Sequence, residues 1–114
     1  MSRFTYAVLS RAVPGREEEF VAWYRDRHFQ DVLRMPGVVG GKLVSLDFQR
    51  VYELDGAPQW TLLTLYELEG DNAEAVIDSI RAASGSDHMP MTDALTKAGM
   101  IQAAGQVIAS SQSA

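Results

Sequence analysis

The stretch that most constrains the fold covers residues 23–37, where a helical pattern runs into a proline and a glycine. At about 100° per residue, one side of a helix over residues 16–35 gathers apolar side chains and a single histidine. That side carries Phe20, Val21, Tyr24, His28, Val32 and Met35. Pro36 disfavours helical geometry at the preceding residue, and Gly37 completes the stop. The pattern predicts an amphipathic helix with a histidine on its apolar side.

The rest of the chain supplies four strand candidates and a second helix. Strands are expected at residues 4–11, 38–48, 60–68 and 100–110, and the second helix at residues 71–83. The order of elements is therefore β-α-β-β-α-β, which is the ferredoxin-like pattern. We expect an α+β fold in which two helices cover one face of a four-stranded antiparallel sheet. At 114 residues the chain is expected to form one domain.

Local signals refine this outline. Gly40 and Gly41 near the start of the second strand predict a bulge or a close backbone approach. Asp55–Gly56 predicts a turn. Asp71, with Glu74 three residues later, is expected to cap the second helix. Residues 91–97 are expected to form a short helical turn, and residues 110–114 a disordered tail.

Composition excludes several classes of function. The net charge of −5 and the absence of a basic stripe argue against nucleic-acid binding. The chain has no cysteine, so disulfides, thiolate catalysis and cysteine metal sites are excluded. No segment is apolar enough to span a membrane, and no signal peptide is recognisable. A cytoplasmic protein without membrane or nucleic-acid partners is therefore expected.

The face of the sheet turned away from the helices is expected to carry several large apolar side chains. A chain this small exposes such a face to water only at a cost in free energy. Burying several hundred Å² would stabilise an assembly by on the order of ten kcal/mol before association costs. Pairing two sheets face to face therefore predicts a two-fold symmetric homodimer.

The helix motif resembles EthD-like members of the dimeric α+β barrel superfamily. It consists of Phe20, Trp23, Tyr24, His28, Asp31, Val32, Leu33, Pro36, Gly37 and Val38. Residues 65–70 and 89–94 are similar to later parts of the same group, whereas Gln30 stands where the motif often has proline. The resemblance implies a ferredoxin-like protomer, a dimeric α+β barrel and a pocket between sheet and helices. It does not imply one activity, since the superfamily includes isomerases, cyclases, dehydratases, cofactor-free monooxygenases and haem-degrading enzymes.

His28 is the first candidate for chemistry, because an imidazole suits general acid–base catalysis near neutral pH. Asp31 lies one turn further along nearly the same side and could orient the imidazole. Tyr24, one turn before, could bring a hydroxyl to a ligand. The alternative is a structural histidine that ties the helix to a backbone carbonyl, with Asp31 helping the helix meet its loop.

The remaining candidates lie on strands and loops. His88 is in a loop that could close over a cleft, or it is a solvated loop histidine. The hydroxyls of Tyr6 and Tyr66 could hold a carbonyl or enolate oxygen, with Tyr66 as the catalytic oxyanion partner, or they could be wet rim groups. Trp23 could stack on an aromatic ligand or serve as a packing anchor. The spacing of the histidines argues against a metal site.

Three functions remain open on this basis. The leading one is a dimeric enzyme without metal or organic cofactor that moves protons on a compact, mostly apolar, oxygenated molecule. Isomerisation, cyclisation, dehydration or decarboxylation of an aromatic, polyketide-like or lactone compound would fit. The second is a non-catalytic ligand-binding or stress-associated dimer. The third, haem binding or degradation, requires a histidine that faces the open cleft.

Overall fold

The computed structural model describes residues 2–54 and 59–111, and it has the predicted α+β architecture. The first helix consists of two α-helical segments, α1 and α2, joined by a π-helical turn. In chain order the elements are β1 (Ser2–Ala12), α1 (Glu17–Trp23), the π-helical turn (Tyr24–His28), α2 (Phe29–Leu33), β2 (Val38–Ser45), β3 (Leu62–Gly70), α3 (Ala73–Ala83) and β4 (Leu95–Gln106).

The four strands form one antiparallel sheet in the order β2-β3-β1-β4. β1 pairs with β3 from Ser2 opposite Gly70 to Ser10 opposite Leu62. On its other edge β1 pairs with β4, with a shift in register between Leu9 and Arg11. The predicted ferredoxin-like sheet is confirmed.

The two faces of the sheet differ as the period-two pattern predicts. On β1 and β3 the residues facing the helices are almost wholly buried, whereas the alternate residues are half-buried. The buried set is Phe4, Tyr6, Val8, Ser10, Ala12, Leu62, Thr64, Tyr66 and Leu68. Val76 and Ile80 of α3 pack against this set, so the core lies between the helices and one face of the sheet.

The first helix departs from the uniform α-helix expected over residues 16–35. Within the π-helical turn the backbone N–H of Phe29 donates to the carbonyl of Tyr24, five residues earlier. The helix ends at Leu33, because Pro36 excludes further helical geometry and Gly37 takes a φ of +87°.

The bulge predicted at Gly40 and Gly41 is present, since the β2–β3 register shifts between Val38 and Gly40. Gly41 also meets the predicted close approach. A Cβ built there would lie 3.0 Å from the carbonyl oxygen of Leu65 and 3.0 Å from Cδ1 of Tyr66. Only glycine therefore lets β2 lie this close to the ring of Tyr66.

The predicted cap of the second helix was one residue off. The N-cap of α3 is Asn72, whose Oδ1 accepts a hydrogen bond from the backbone N–H of Ala75 at 2.8 Å. An amide and a carboxylate side chain cap about equally well, so their adjacency hides the choice from sequence. Asp71 is exposed just before the helix.

The helical turn expected over residues 91–97 was wrong, and so were the limits of the last strand. The Thr92 hydroxyl accepts from the backbone N–H of Ala94 and closes a turn, after which β4 begins at Leu95. β4 ends at Gln106 rather than at residue 110, and β2 ends at Ser45 rather than at residue 48. The Asp55–Gly56 turn and the tail residues 112–114 lie outside the described residues. No helix in residues 2–54 and 59–111 is long and apolar enough to cross a membrane.

Candidate active site

A cavity of about 540 Å³ lies between the helix-facing side of the sheet, the first helix and α3. Its lining contains five of the residues singled out from sequence: Tyr6, Trp23, Tyr24, His28 and Tyr66. The apolar part of the wall comes from β1, α2, α3 and β4. A ligand pocket in a domain of this size is typically of such a volume and composition.

The π-helical turn sets the geometry of His28. It inserts one extra residue into the helix, so residues five apart are brought onto the same side. The imidazole stacks on the indole of Trp23, with ring centroids 4.7 Å apart and planes at 19°. It also meets the edge of the Tyr24 ring at 5.0 Å. The indole N–H of Trp23 donates to the carbonyl of Pro90 at 3.1 Å, which fixes the ring that carries the histidine.

Burial controls the protonation of His28. It lowers the pKa of the imidazole to about 4, while the negative charge of Asp31 acts in the opposite direction. The imidazole is therefore neutral at neutral pH. Nδ1 is buried and has no hydrogen-bond partner within residues 2–54 and 59–111. Within these residues, Nδ1 therefore does not make the hydrogen bond to a backbone carbonyl that is expected of a structural histidine.

Three tyrosines form the polar floor of the cavity. The rings of Tyr6 and Tyr66 stack with centroids 5.9 Å apart. Burial raises the pKa of Tyr6 to about 12 and also raises the pKa values of Tyr24 and Tyr66. All three hydroxyls therefore stay protonated at neutral pH and are hydrogen-bond donors. The hydroxyl of Tyr66 is fully buried, so it reaches a ligand oxygen only after a local shift of the side chains that cover it.

Two hydroxyls at this floor lack a partner of good geometry. Those of Tyr66 and Thr64 approach the Tyr24 hydroxyl, yet neither makes a hydrogen bond to any described residue. An unsatisfied buried hydroxyl costs about 1–3 kcal/mol, so the described part of the fold carries two hydroxyls that its own packing does not satisfy.

Asp31 does not orient His28 by direct contact, contrary to the expectation from its spacing. Its buried carboxylate accepts from Nε of Arg27 at 2.8 Å and from Nη1 of Arg34 at 3.0 Å. Arginines four residues before and three residues after an aspartate on a helix compete better for its oxygens than a neutral imidazole does.

His88 is likewise separated from the main cavity. It is exposed and lines a smaller cavity of about 340 Å³, on the side where Asp31, Arg27 and Arg34 lie. The structure therefore brings together His28 with the tyrosines and Trp23, but not with His88. Across residues 2–54 and 59–111, no cluster of three or more histidine or carboxylate side chains is placed to hold a metal ion.

The part of the cavity wall formed by α3 and β4 was not predicted from the sequence. Arg81 follows the apolar stripe of α3 directly, and Lys97 lies in the segment that was expected to be helical. Leu95 and Lys97, then Met100 and Gln102, line the cavity. The break in this alternation falls at Gly99, whose φ is +83°. Period-two spacing on either side of that glycine was the signal for a bulged strand.

Comparisons with known proteins bear on the fold. No family model matches the chain, and no curated protein matches it. Among solved structures, a candidate monooxygenase from Shewanella loihica PV-4 is similar with a TM-score of 0.59 and 16% identity, over 96% of this chain and 97% of that chain. An ethyl tert-butyl ether D (EthD) family protein from Bacillus halodurans C-125 is similar with a TM-score of 0.58 and 19% identity, over 95% and 100% of the two chains.

These two similarities establish the fold. The chain has the EthD-like, ferredoxin-like fold that the helix motif indicated, and the likeness extends over nearly the whole chain. At this level of identity the likeness carries no information on substrate or reaction. Function therefore has to be inferred from the cavity and its side chains.

Proposed function

We propose that this protein is a small-molecule enzyme that transfers protons on a compact, mostly apolar, oxygenated compound, using only its own side chains. The observation that carries the proposal is the meeting of one neutral histidine and three protonated tyrosines at an apolar cavity. Nδ1 of His28 and the hydroxyl of Tyr66 support it, because both are polar atoms in the wall of the cavity that no residue in the ranges 2–54 and 59–111 satisfies.

The protonation states divide the roles. His28 is neutral and accepts a proton from a carbon or oxygen acid of the substrate, becoming imidazolium. The hydroxyl of Tyr66 donates a hydrogen bond to the oxygen that gains negative charge, and Tyr6 or Tyr24 can provide a second donor. The low pKa of His28 is compatible with this role, because the enolate formed beside it would pair with the imidazolium and stabilise its charge.

The cycle closes when the imidazolium returns its proton to a different atom of the substrate. Return to another carbon is an isomerisation, and return to a departing hydroxyl group is a dehydration. Trp23 holds the imidazole and offers an aromatic surface to a flat ligand. Asp31 acts at a distance, since its charge favours the imidazolium while its ion pairs fix the helix next to the π-helical turn.

Small ketones with an acidic C–H bond test this proposal, because they undergo the same proton abstraction whatever the natural compound is. We expect the protein to accelerate deuterium exchange of 2-tetralone or acetylacetone in D₂O, monitored by NMR. His28→Gln should lower the rate by about 10²-fold or more, and Tyr66→Phe by about 10²-fold. Arg25→Gln is the control, because Arg25 is exposed on the same helix and its one ion pair within residues 2–54 and 59–111 is with the exposed Asp26.

Exchange no faster than that caused by an equal concentration of free imidazole would contradict the enzymatic proposal. The same conclusion would follow if His28→Gln exchanged as fast as the wild type. In either case the cavity would be assigned to binding without catalysis.

We also propose that the active form is a homodimer paired through the sheet face opposite the helices. The registers of the sheet place Leu9, Val44, Leu63 and Ile101 in one row across that face, with Leu65 beside it. Stable interfaces bury about 800 Å² on each partner, and this face lies opposite the one against which the helices pack.

Analytical ultracentrifugation tests the dimer. The wild type should sediment at twice the 12.5 kDa mass of the chain. Leu63→Lys places a charge in the middle of the row and should give monomers, whereas Ser79→Lys on the exposed side of α3 should not. A wild type that sediments as a monomer would refute the dimer and leave the cavity unaffected.

A further inference from the structure

The charges around the cavity are opposite in sign to the charge of the chain. The sequence has fifteen acidic residues and ten basic ones, yet among residues 2–54 and 59–111 no aspartate or glutamate lines the cavity. Its charged lining residues are Arg81, from the end of α3, and Lys97, from the start of β4. Both are exposed, so they belong to the mouth of the cavity, whereas the buried tyrosines form its floor.

Arg81 and Lys97 also differ from most arginines of the protein in their ion pairing. Five arginines pair with carboxylates at 4 Å or less: Arg3, Arg16, Arg25, Arg27 and Arg34. Neither Arg81 nor Lys97 forms an ion pair with any residue in the ranges 2–54 and 59–111. An anion at the mouth would therefore meet positive charge that the described structure does not neutralise.

We infer that the ligand of this cavity is an organic acid, whose carboxylate is held at the mouth by Arg81 and Lys97 while its apolar body extends inward to His28 and the tyrosines. This inference rests on the proposed function and specifies its substrate class. The polarity of the cavity fixes the orientation. The interior walls are apolar and the floor donates hydrogen bonds, so a charged group is solvated best at the mouth.

The expected selectivity is moderate, because both cations face solvent. Two solvent-facing ion pairs of ordinary strength together favour an acid over its neutral isostere by about tenfold. Screening should reduce this preference as the salt concentration rises, since the Debye length falls from about 10 Å at 0.1 M to about 3 Å at 1 M. The apolar contacts should be insensitive to the charge of the ligand.

Isothermal titration with 2-naphthoate and with its neutral isostere 2-naphthamide tests the inference. The wild type should bind the acid about tenfold more tightly than the amide. The double variant Arg81→Gln and Lys97→Gln should lose this preference and keep its affinity for the amide. Arg50→Gln is the matched control, because Arg50 is an exposed cation that does not line the cavity. A shift of the His28 imidazole signals in NMR should locate both probes in the cavity.

Each outcome separates the inference from the function on which it rests. Equal affinity for acid and amide would overturn the inference and leave the cavity and the proton-transfer proposal standing. A preference for the acid that survives in the double variant would also overturn it, because Arg81 and Lys97 would not be its source. Absence of binding by both probes, with no change at His28, would contradict both the inference and the proposed site.

Discussion

Lowering the pH from 7.5 to 5 should destabilise the fold through His28. In the unfolded chain the His28 imidazole takes up a proton near its ordinary pKa of about 6.5. In the folded chain, burial lowers the pKa of this imidazole to about 4. Between these two values the unfolded state binds more protons than the folded state. The free energy of unfolding therefore falls as the pH falls from 6.5 to 4, and His28 adds no further pH dependence below that range.

The magnitude follows from the same two pKa values. At about 1.4 kcal/mol per pKa unit, the loss of stability through His28 is about 2 kcal/mol at pH 5 and about 3 kcal/mol at pH 4. A typical domain has only 5–15 kcal/mol of stability, so this loss is large enough to measure. The exposed His88 lies outside the main cavity and serves as the control histidine.

Urea unfolding of the wild type, His28→Gln and His88→Gln at one protomer concentration measures this effect. Between pH 7.5 and pH 5, the free energy of unfolding of the wild type should fall by about 2 kcal/mol more than that of His28→Gln. Titration of the carboxylates is common to all three proteins and cancels. Parallel losses of stability in the wild type and His28→Gln, with no difference beyond that seen for His88→Gln, would show that His28 does not have a lowered pKa in the folded state.

Three other substitutions test separate parts of the account by chemical denaturation. Gly41→Ala should destabilise the protein by about 1–3 kcal/mol, because the added Cβ would lie 3.0 Å from a backbone oxygen of β3 and from the Tyr66 ring. Gly40→Ala is the control and should be tolerated, because a Cβ there meets nothing within 4 Å. Equal effects of the two substitutions would exclude the close approach at Gly41. Tyr66→Phe should leave stability unchanged or raise it by about 1 kcal/mol, because the hydroxyl has no partner among the described residues. A loss of stability greater than about 1 kcal/mol would indicate that the hydroxyl makes a hydrogen bond in the folded protein. Asn72→Ala should cost about 1 kcal/mol through loss of the helix cap, and a larger cost for Asp71→Ala would reverse the assignment.

The sequence predicts the sheet and the ends of the first helix because their causes are local. Buried and half-buried residues alternate along β1 and β3, and Pro36 and Gly37 terminate a helix in any context. β4 was misplaced for the opposite reason. Its residues 101–106 are exposed on both faces, and the period-two spacing before Gly99 is out of step with that after it, so no continuous alternation marks the strand.

The candidate site was only partly predictable for physical reasons that differ between residues. Helical spacing places His28 and Tyr24 on the buried side, and strand alternation directs Tyr66 to the same space. The π-helical turn was not predicted from the sequence. It brings residues five apart onto one side of the helix, which is the spacing of Trp23 and the His28 that stacks on it. Asp31 was assigned to His28 by spacing, but the charges of neighbouring arginines decide where its carboxylate bonds.

The cavity beside His28 is proposed to bind a small molecule, and a crystal structure of the protein as purified, and again after soaking with 2-naphthoate, would show whether it does. We expect electron density in the cavity, in contact with the imidazole of His28 and with at least one tyrosine hydroxyl. A cavity filled by the protein's own side chains, with Nδ1 of His28 bonded to a backbone carbonyl, would contradict it.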